Sequence, residues 1–163
     1  LQGATTVRKR FYDLVNEHIP LIEEVFPWDL ANEIAQNPQL LLVDIRCPDE
    51  YRQARIDDSL TVPRGILESA CDYGYEETVP ELVEARERRV VLVCRSGNRS
   101  VLAAHTLNIM GFTRTASLKT GLKGWNDYDL PLVDARGKQL DPDVAERLLN
   151  PPIAAEKLGP LQS

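Results

Sequence analysis

Val90-Val-Leu-Val-Cys-Arg-Ser-Gly-Asn-Arg-Ser100 is a run of branched apolar residues that stops at a cysteine and passes into a short loop holding two arginines and a glycine. The consecutive apolar residues Val90 to Val93 fit a strand buried on both faces, and Ser100 to Met110 carries a helical periodicity that stops at Gly111. Cys94 is therefore expected between the end of a central strand and the start of a helix. At that place the loop N–H groups, the positive end of the helix dipole and the guanidinium groups of Arg95 and Arg99 all favour a thiolate. The expected chemistry is that of a nucleophile in an anion cradle.

Working outward, strands and helices alternate. Val7, Phe11, Leu14 and Val15 share one helical face within 5–18, and Ile22 to Phe26 reads as a short edge strand. A helix from Pro27 ends at Asn37-Pro38, and Leu40 to Ile45 is a second buried strand. Pro48 opens a short helix, Thr61-Val62 ends another strand, 64–71 is expected to be helical, and Asp72 to Pro80 is a polar surface loop. A helix from Pro80 to about Arg86, followed by a solvated turn through Arg89, leads to the central strand, and Arg114 to Lys119 forms the last one. The pattern predicts an α/β fold, a mostly parallel central sheet of about five strands with helices on both faces. Such sheets bind ligands beyond the carboxyl ends of their strands, where Asp44, Arg46 and Cys94 fall.

The expected organisation is an N-terminal amphipathic helix and lead-in over 1–21, a central domain over 22–133, and an extension over 134–163. The extension has one short helix near Asp141-Pro142 and is expected to pack loosely. The 163 residues suffice for one core with extensions. A net charge of -6 argues against a nucleic-acid partner, which needs a basic face. No stretch approaches the roughly 18 to 20 apolar residues of a membrane span. Three widely spaced cysteines, Cys47, Cys71 and Cys94, fit neither a disulfide framework nor a zinc site, so no metal or cofactor is expected. Free thiols point to the cytoplasm, and a leader removed ahead of Leu1 would leave no trace in the sequence.

Asp44-Ile-Arg46, Pro48-Asp-Glu-Tyr51, Val62-Pro63, Val93-Cys-Arg-Ser-Gly-Asn-Arg-Ser100, Gly111-Phe112 and Gly124-Trp125, in this order, resemble a single-domain rhodanese-like sulfurtransferase. Three departures stand out. Ala54-Arg55-Ile56 replaces Gly-His-Ile, and Asp58 stands where a glycine follows. The usual glycine pair is expected at Gly121-Leu122, altering one wall of the site. Cys47 occupies a position that is commonly acidic.

The resemblance implies a thiosulfate-type enzyme in which Cys94 takes a sulfane sulfur from a small anionic donor as a persulfide and passes it to cyanide, a thiol or a sulfur-carrier protein. Arg95, Ser96, Gly97, Asn98, Arg99 and Ser100 then form the persulfide-binding loop, with Arg95 toward the pocket mouth and Arg99 holding the loop or the thiolate. Asp44, Arg46 and Trp125 are candidate pocket or supporting residues. A strand-pinning ion pair is an equally open reading for the first two, and for Trp125 a core anchor under the active-site loop is the favoured one. A protein-to-protein sulfur relay or docking module is the alternative from another class. Cysteine phosphatase or arsenate reductase is less favoured, because the phosphatase loop places five residues between cysteine and arginine and this loop has four between Cys94 and Arg99. Cys47, Cys71, His18 and His105 are expected to be packing or surface residues.

Overall fold

In the computed structural model, which describes residues 8–160, the apolar run 90–93 lies in the middle of a five-stranded parallel sheet. The strands are β1 (Glu24–Val25), β2 (Leu41–Asp44), β3 (Leu60–Thr61), β4 (Arg89–Val93) and β5 (Arg114–Leu118), in the spatial order β1-β5-β4-β2-β3. Every pairing is parallel, and β4 lies between β2 and β5, with Leu92 opposite both Val43 and Ser117. All residues of β2 and β4 are buried, which is why both read as nearly unbroken apolar runs.

The helices are α1 (Phe11–His18), α2 (Pro27–Gln36), α3 (Pro48–Gln53), α4 (Leu67–Ala70), α5 (Pro80–Val83), α6 (Arg99–Ile109), α7 (Gly121–Asp127), α8 (Pro142–Leu149) and α9 (Ala155–Leu158). Proline stands in the first turn of α2, α3, α5 and α8, where its missing N–H has no intrahelical partner to lose. Alternate strand residues point to opposite faces and so build two cores. Val43, Val90 and Leu92 pack with Leu67, Leu82 and Leu107 of α4, α5 and α6. Leu42, Val91 and Leu118 pack with Leu30 of α2, Trp125 of α7 and Leu149 of α8.

The structure revises three expectations. Residues 8–10 precede α1 as chain outside any helix, and the part of the expected first helix at 5–7 lies outside the described residues. α1 lies against α6. Arg89 begins the central strand instead of ending a solvated turn: it is 8% exposed and donates to both Glu23 (2.6 and 3.0 Å) and Glu33 (2.9 and 3.2 Å), which compensates its burial. The C-terminal extension is not loose over α8. Asp141 caps this helix by accepting from Asp143 N and Val144 N, Asn126 Nδ2 donates to Pro142 O (3.0 Å), and Ala145 and Leu149 are buried in the second core. The apolar spacing Ala145, Leu148, Leu149 is a short helical stripe, and α7 gives it a surface to cover.

If α8 is part of the core, Leu149→Ala should cost about 3 kcal/mol, as large-to-small substitutions in well-packed interiors do. Urea unfolding of the full chain reads this directly, and a loss below about 0.5 kcal/mol, the scale of a surface substitution, contradicts the assignment.

Candidate active site

Cys94 leaves β4 at its carboxyl end and is 1% exposed. Its sulfur accepts from Gly97 N (3.2 Å) and Ser100 N (3.4 Å). The N-cap residue of α6, Asn98, has no side-chain hydrogen bond to the helix. The Cys94 sulfur takes the capping role, a position that favours negative charge. On its other side the sulfur lies 3.3 Å from Ser100 Oγ, which is 2.7 Å from Ser117 Oγ on β5. Both serines are fully buried, so each hydroxyl depends on this chain for its partner.

The loop is held from outside by the start of α7. Leu122 N donates to Cys94 O (3.0 Å) and Lys123 N to Arg95 O (3.0 Å), which fixes these two peptides and leaves later N–H groups of the loop to face the sulfur. Gly97, at φ 85°, and Gly121, at φ 61°, permit the contact: a Cβ on Gly121 would lie 2.6 Å from Cys94 O, and one on Gly97 2.9 Å from Thr120 N. The consecutive left-handed residues are Thr120 (φ 66°) and Gly121, so the glycine-pair position falls one residue earlier than expected. Leu122 is buried in the second core and forms no wall of the site. Asp58 also adopts a left-handed conformation (φ 62°), one that aspartate tolerates better than most residues, which accounts for its standing at a glycine position.

Arg99 turns toward α3, where Nη1 and Nη2 meet Glu50 Oε1 (2.9 Å) and Oε2 (3.0 Å). Glu50 Oε1 also accepts from Cys47 N (3.3 Å), so one carboxylate joins the start of α3 to the start of α6. Burial works to raise the Glu50 carboxyl, but the Arg99 guanidinium outweighs it and holds Glu50 below its ordinary value. Arg46, 1% exposed, donates to both Asp44 oxygens and to Ala54 O (2.5 Å), so this pair ties the end of β2 to the chain after α3. Arg95 is half-buried, and its Nε is buried with no hydrogen-bond partner among the described residues. Ser96 and Asn98 are exposed.

Arg95 borders two clefts. One, of about 240 Å³, is lined by Arg46, Glu50, Arg95 and, from the C-terminal extension, Leu148, Leu149 and Pro151. The other, of about 380 Å³, is lined by Arg95, Lys123, Leu149, Pro151, Ile153 and Lys157 among others. Trp125 borders neither: it is 3% exposed in the second core, its Nε1 donates to Pro131 O (2.9 Å), and the cleft it does line, with Ala31, Ile56 and Leu130, is a separate one without Cys94 or its loop, so of its two readings the structure places it as a core anchor. Cys71 is fully buried, and burial pushes its thiol up to about 11, which leaves it unreactive at neutral pH. Cys47 is exposed at the N-cap of α3, and the rings of His18 and His105 pack edge to face with centroids 4.9 Å apart. No described helix is long and apolar enough to cross a membrane.

Glu50 and Ser117 escaped the sequence reading as functional residues. Glu50 had a signal in its spacing from Cys47, that of a capping box, and Ser117 had one as a hydroxyl between two core positions of a strand. Lys123 and the segment after Leu149 had none, because their place beside Arg95 is set by the docking of α8.

The family model for the rhodanese-like domain matches residues 27–128. A sulfurtransferase of Allochromatium vinosum is 32% identical over 117 residues, covering 72% of this chain and all of that protein. A protein of Schizosaccharomyces pombe, provisionally named a mitochondrial thiosulfate sulfurtransferase, is 26% identical over 123 residues, covering 74% of this chain and 87% of its own length. Among solved structures, a Rhodopseudomonas palustris protein of unknown function, described as a candidate tyrosine phosphatase, superposes with a TM-score of 0.69 at 28% identity, covering 79% of this chain and 98% of that one.

Two outcomes are expected from this geometry. Thr120→Gly should stabilise the fold by about 1 kcal/mol in urea unfolding, because it relieves a β-branched residue of a left-handed backbone; destabilisation would show that the Thr120 side chain contributes more than its strain. Glu50 is depressed in the folded chain, so its contribution is complete above its ordinary value of 4.5 and is lost as the pH falls through the lower folded value. The stability difference between wild type and Glu50→Gln should therefore stay constant above that value and close below it; a difference that widens in acid contradicts the pairing.

Proposed function

The chain belongs to the rhodanese-like domain family, and we propose that it is a sulfurtransferase that carries one sulfane sulfur as a persulfide on Cys94. Its relatives named as sulfurtransferases support sulfur transfer in general. The observation that carries the persulfide reading is the sulfur itself, seated over the first turn of α6 and accepting from Gly97 N and Ser100 N. Those donors suit a thiolate before the reaction and an anionic outer sulfur after it.

With thiosulfate as donor, the Cys94 thiolate attacks the outer sulfur. A new S–S bond forms at Cys94, the donor's S–S bond breaks, and its electron pair leaves on sulfite. The terminal sulfur of the persulfide is then attacked by a second nucleophile, such as cyanide, a thiol or the thiolate of a carrier protein, and the bond electrons return to Cys94 as thiolate. Each half-reaction conserves charge and needs no redox partner. Ser100 and Ser117 hold the sulfur's position, and Arg99, bound by Glu50, keeps the loop against α3. The three free thiols support a reducing compartment such as the cytoplasm.

The description of the Rhodopseudomonas palustris structure favours phosphate-ester hydrolysis as a second reading. Against it stand the four residues between Cys94 and Arg99 and the engagement of both terminal nitrogens of Arg99 by Glu50, which withholds that guanidinium from a tetrahedral oxyanion.

Mass spectrometry after incubation with thiosulfate should find one added sulfur on Cys94, released as thiocyanate by cyanide. Cys94→Ser should abolish the loading and lower turnover at least about a thousandfold, as loss of a covalent nucleophile does. Loading on Cys47 or Cys71, or rapid hydrolysis of an aryl phosphate with no persulfide, would overturn the assignment.

A further inference from the structure

The protein is acidic, with a net charge of -6, yet the cleft of about 380 Å³ that begins one residue beyond Cys94 is bordered by Arg95, Lys123 and Lys157. None of these three cations forms an ion pair among the described residues, whereas Arg46 and Arg99, the other arginines beside the site, both do. Arg95 Nε is moreover buried and unpartnered, which a folded protein seldom leaves without a use. Apart from Asn150, the rest of the lining is apolar: Leu149 is buried in the core, and Pro151, Pro152 and Ile153 continue from it as exposed chain, Ile153 at 63% exposure.

A small inorganic anion would occupy only part of such a volume, which lies in the range of sites for organic ligands. Three cations around it call for more than one negative group, and the proline-rich wall calls for carbon between them. We propose that Arg95, Lys123 and Lys157, together with the segment Leu149–Ile153, form a donor-recognition cleft that selects an organic sulfane-sulfur compound bearing a carboxylate over inorganic thiosulfate. This rests on the reading of Cys94 as the sulfur carrier and adds its substrate class. The C-terminal extension supplies both the apolar wall and, through Lys157 on α9, one of the cations.

The transfer balances for an organic thiosulfonate. The Cys94 thiolate attacks the outer sulfur, the donor's S–S bond breaks, and the electron pair departs on the sulfinate, leaving the persulfide. Lys123 and Lys157 act on binding alone, since the transfer needs neither a proton nor a covalent bond from either.

Three donors separate the contributions: thiosulfate, benzenethiosulfonate and 4-carboxybenzenethiosulfonate, each assayed for kcat/KM on the full chain. The carboxylated donor should be used best. Lys123→Glu and Lys157→Glu should each lower its kcat/KM about tenfold more than that of benzenethiosulfonate, one good charge-assisted contact corresponding to such a factor. Ile153→Ser, which removes apolar surface from the cleft, should reduce the preference for both aromatic donors over thiosulfate. Equal changes for all three donors, or no change, would overturn the cleft assignment while leaving sulfur transfer intact. Failure of the wild-type chain to acquire sulfur from any donor would instead overturn the persulfide reading beneath it.

Discussion

The site depends on one backbone constraint: the carbonyls of Cys94 and Arg95 are bound by free N–H groups in the first turn of α7, those of Leu122 and Lys123. A peptide whose oxygen is held on one side presents its later neighbours' N–H groups to the other. That orientation places Gly97 N and Ser100 N on the sulfur and allows Cys94 to stand as the cap of α6. The contact requires the α7 turn to come within touching distance of the loop, and Gly97 and Gly121 are the residues that make this approach geometrically allowed. The parallel sheet supplies the rest, since β4 and β5 are adjacent and both end at this edge, carrying Cys94 and the α7 turn to the same place.

The arginines near the site divide into two already neutralised, Arg46 and Arg99, and one that is not. Arg46 is bound by Asp44 and Ala54 O, and Arg99 by Glu50, so both spend their charge on holding β2, α3 and α6 in register. Arg95 keeps an unpartnered Nε and borders both clefts. A thiolate at the start of α6 therefore draws its stabilisation from backbone N–H groups and hydroxyls, leaving one guanidinium available to an incoming anion. Such a division suits a carrier that must bind a charged donor, release a charged product and hold a single atom between the two.

The fold was readable because its decisive signals are local. Val90–Val93 and Leu40–Ile45 are too apolar and too short for surface helices, and the prolines at the starts of α2, α3, α5 and α8 mark helix ends by a rule that needs no tertiary context. The loop 94–100 was equally plain, because cysteine, glycine and two arginines lie within it. What escaped depends on contacts across the fold. Arg89 looks like part of a solvated charge run until Glu23 and Glu33 meet it. Glu50 is an ordinary helix-start acid until α3 comes to rest against α6, and Ser117 is an anomaly in a strand until Ser100 reaches it. The extension after residue 133 was read by its polarity, yet Ala145 and Leu149 carry enough apolar surface to dock once α7 is present to receive them.

If the loop around Cys94 is shaped for one added sulfur atom, a crystal of the protein soaked in thiosulfate will show electron density for a single atom bonded to Cys94 Sγ, within hydrogen-bond reach of the loop N–H groups, with the Arg99–Glu50 pair unbroken. An unmodified thiol beneath a tetrahedral oxyanion, with Arg99 swung away from Glu50 to bind it, would contradict it.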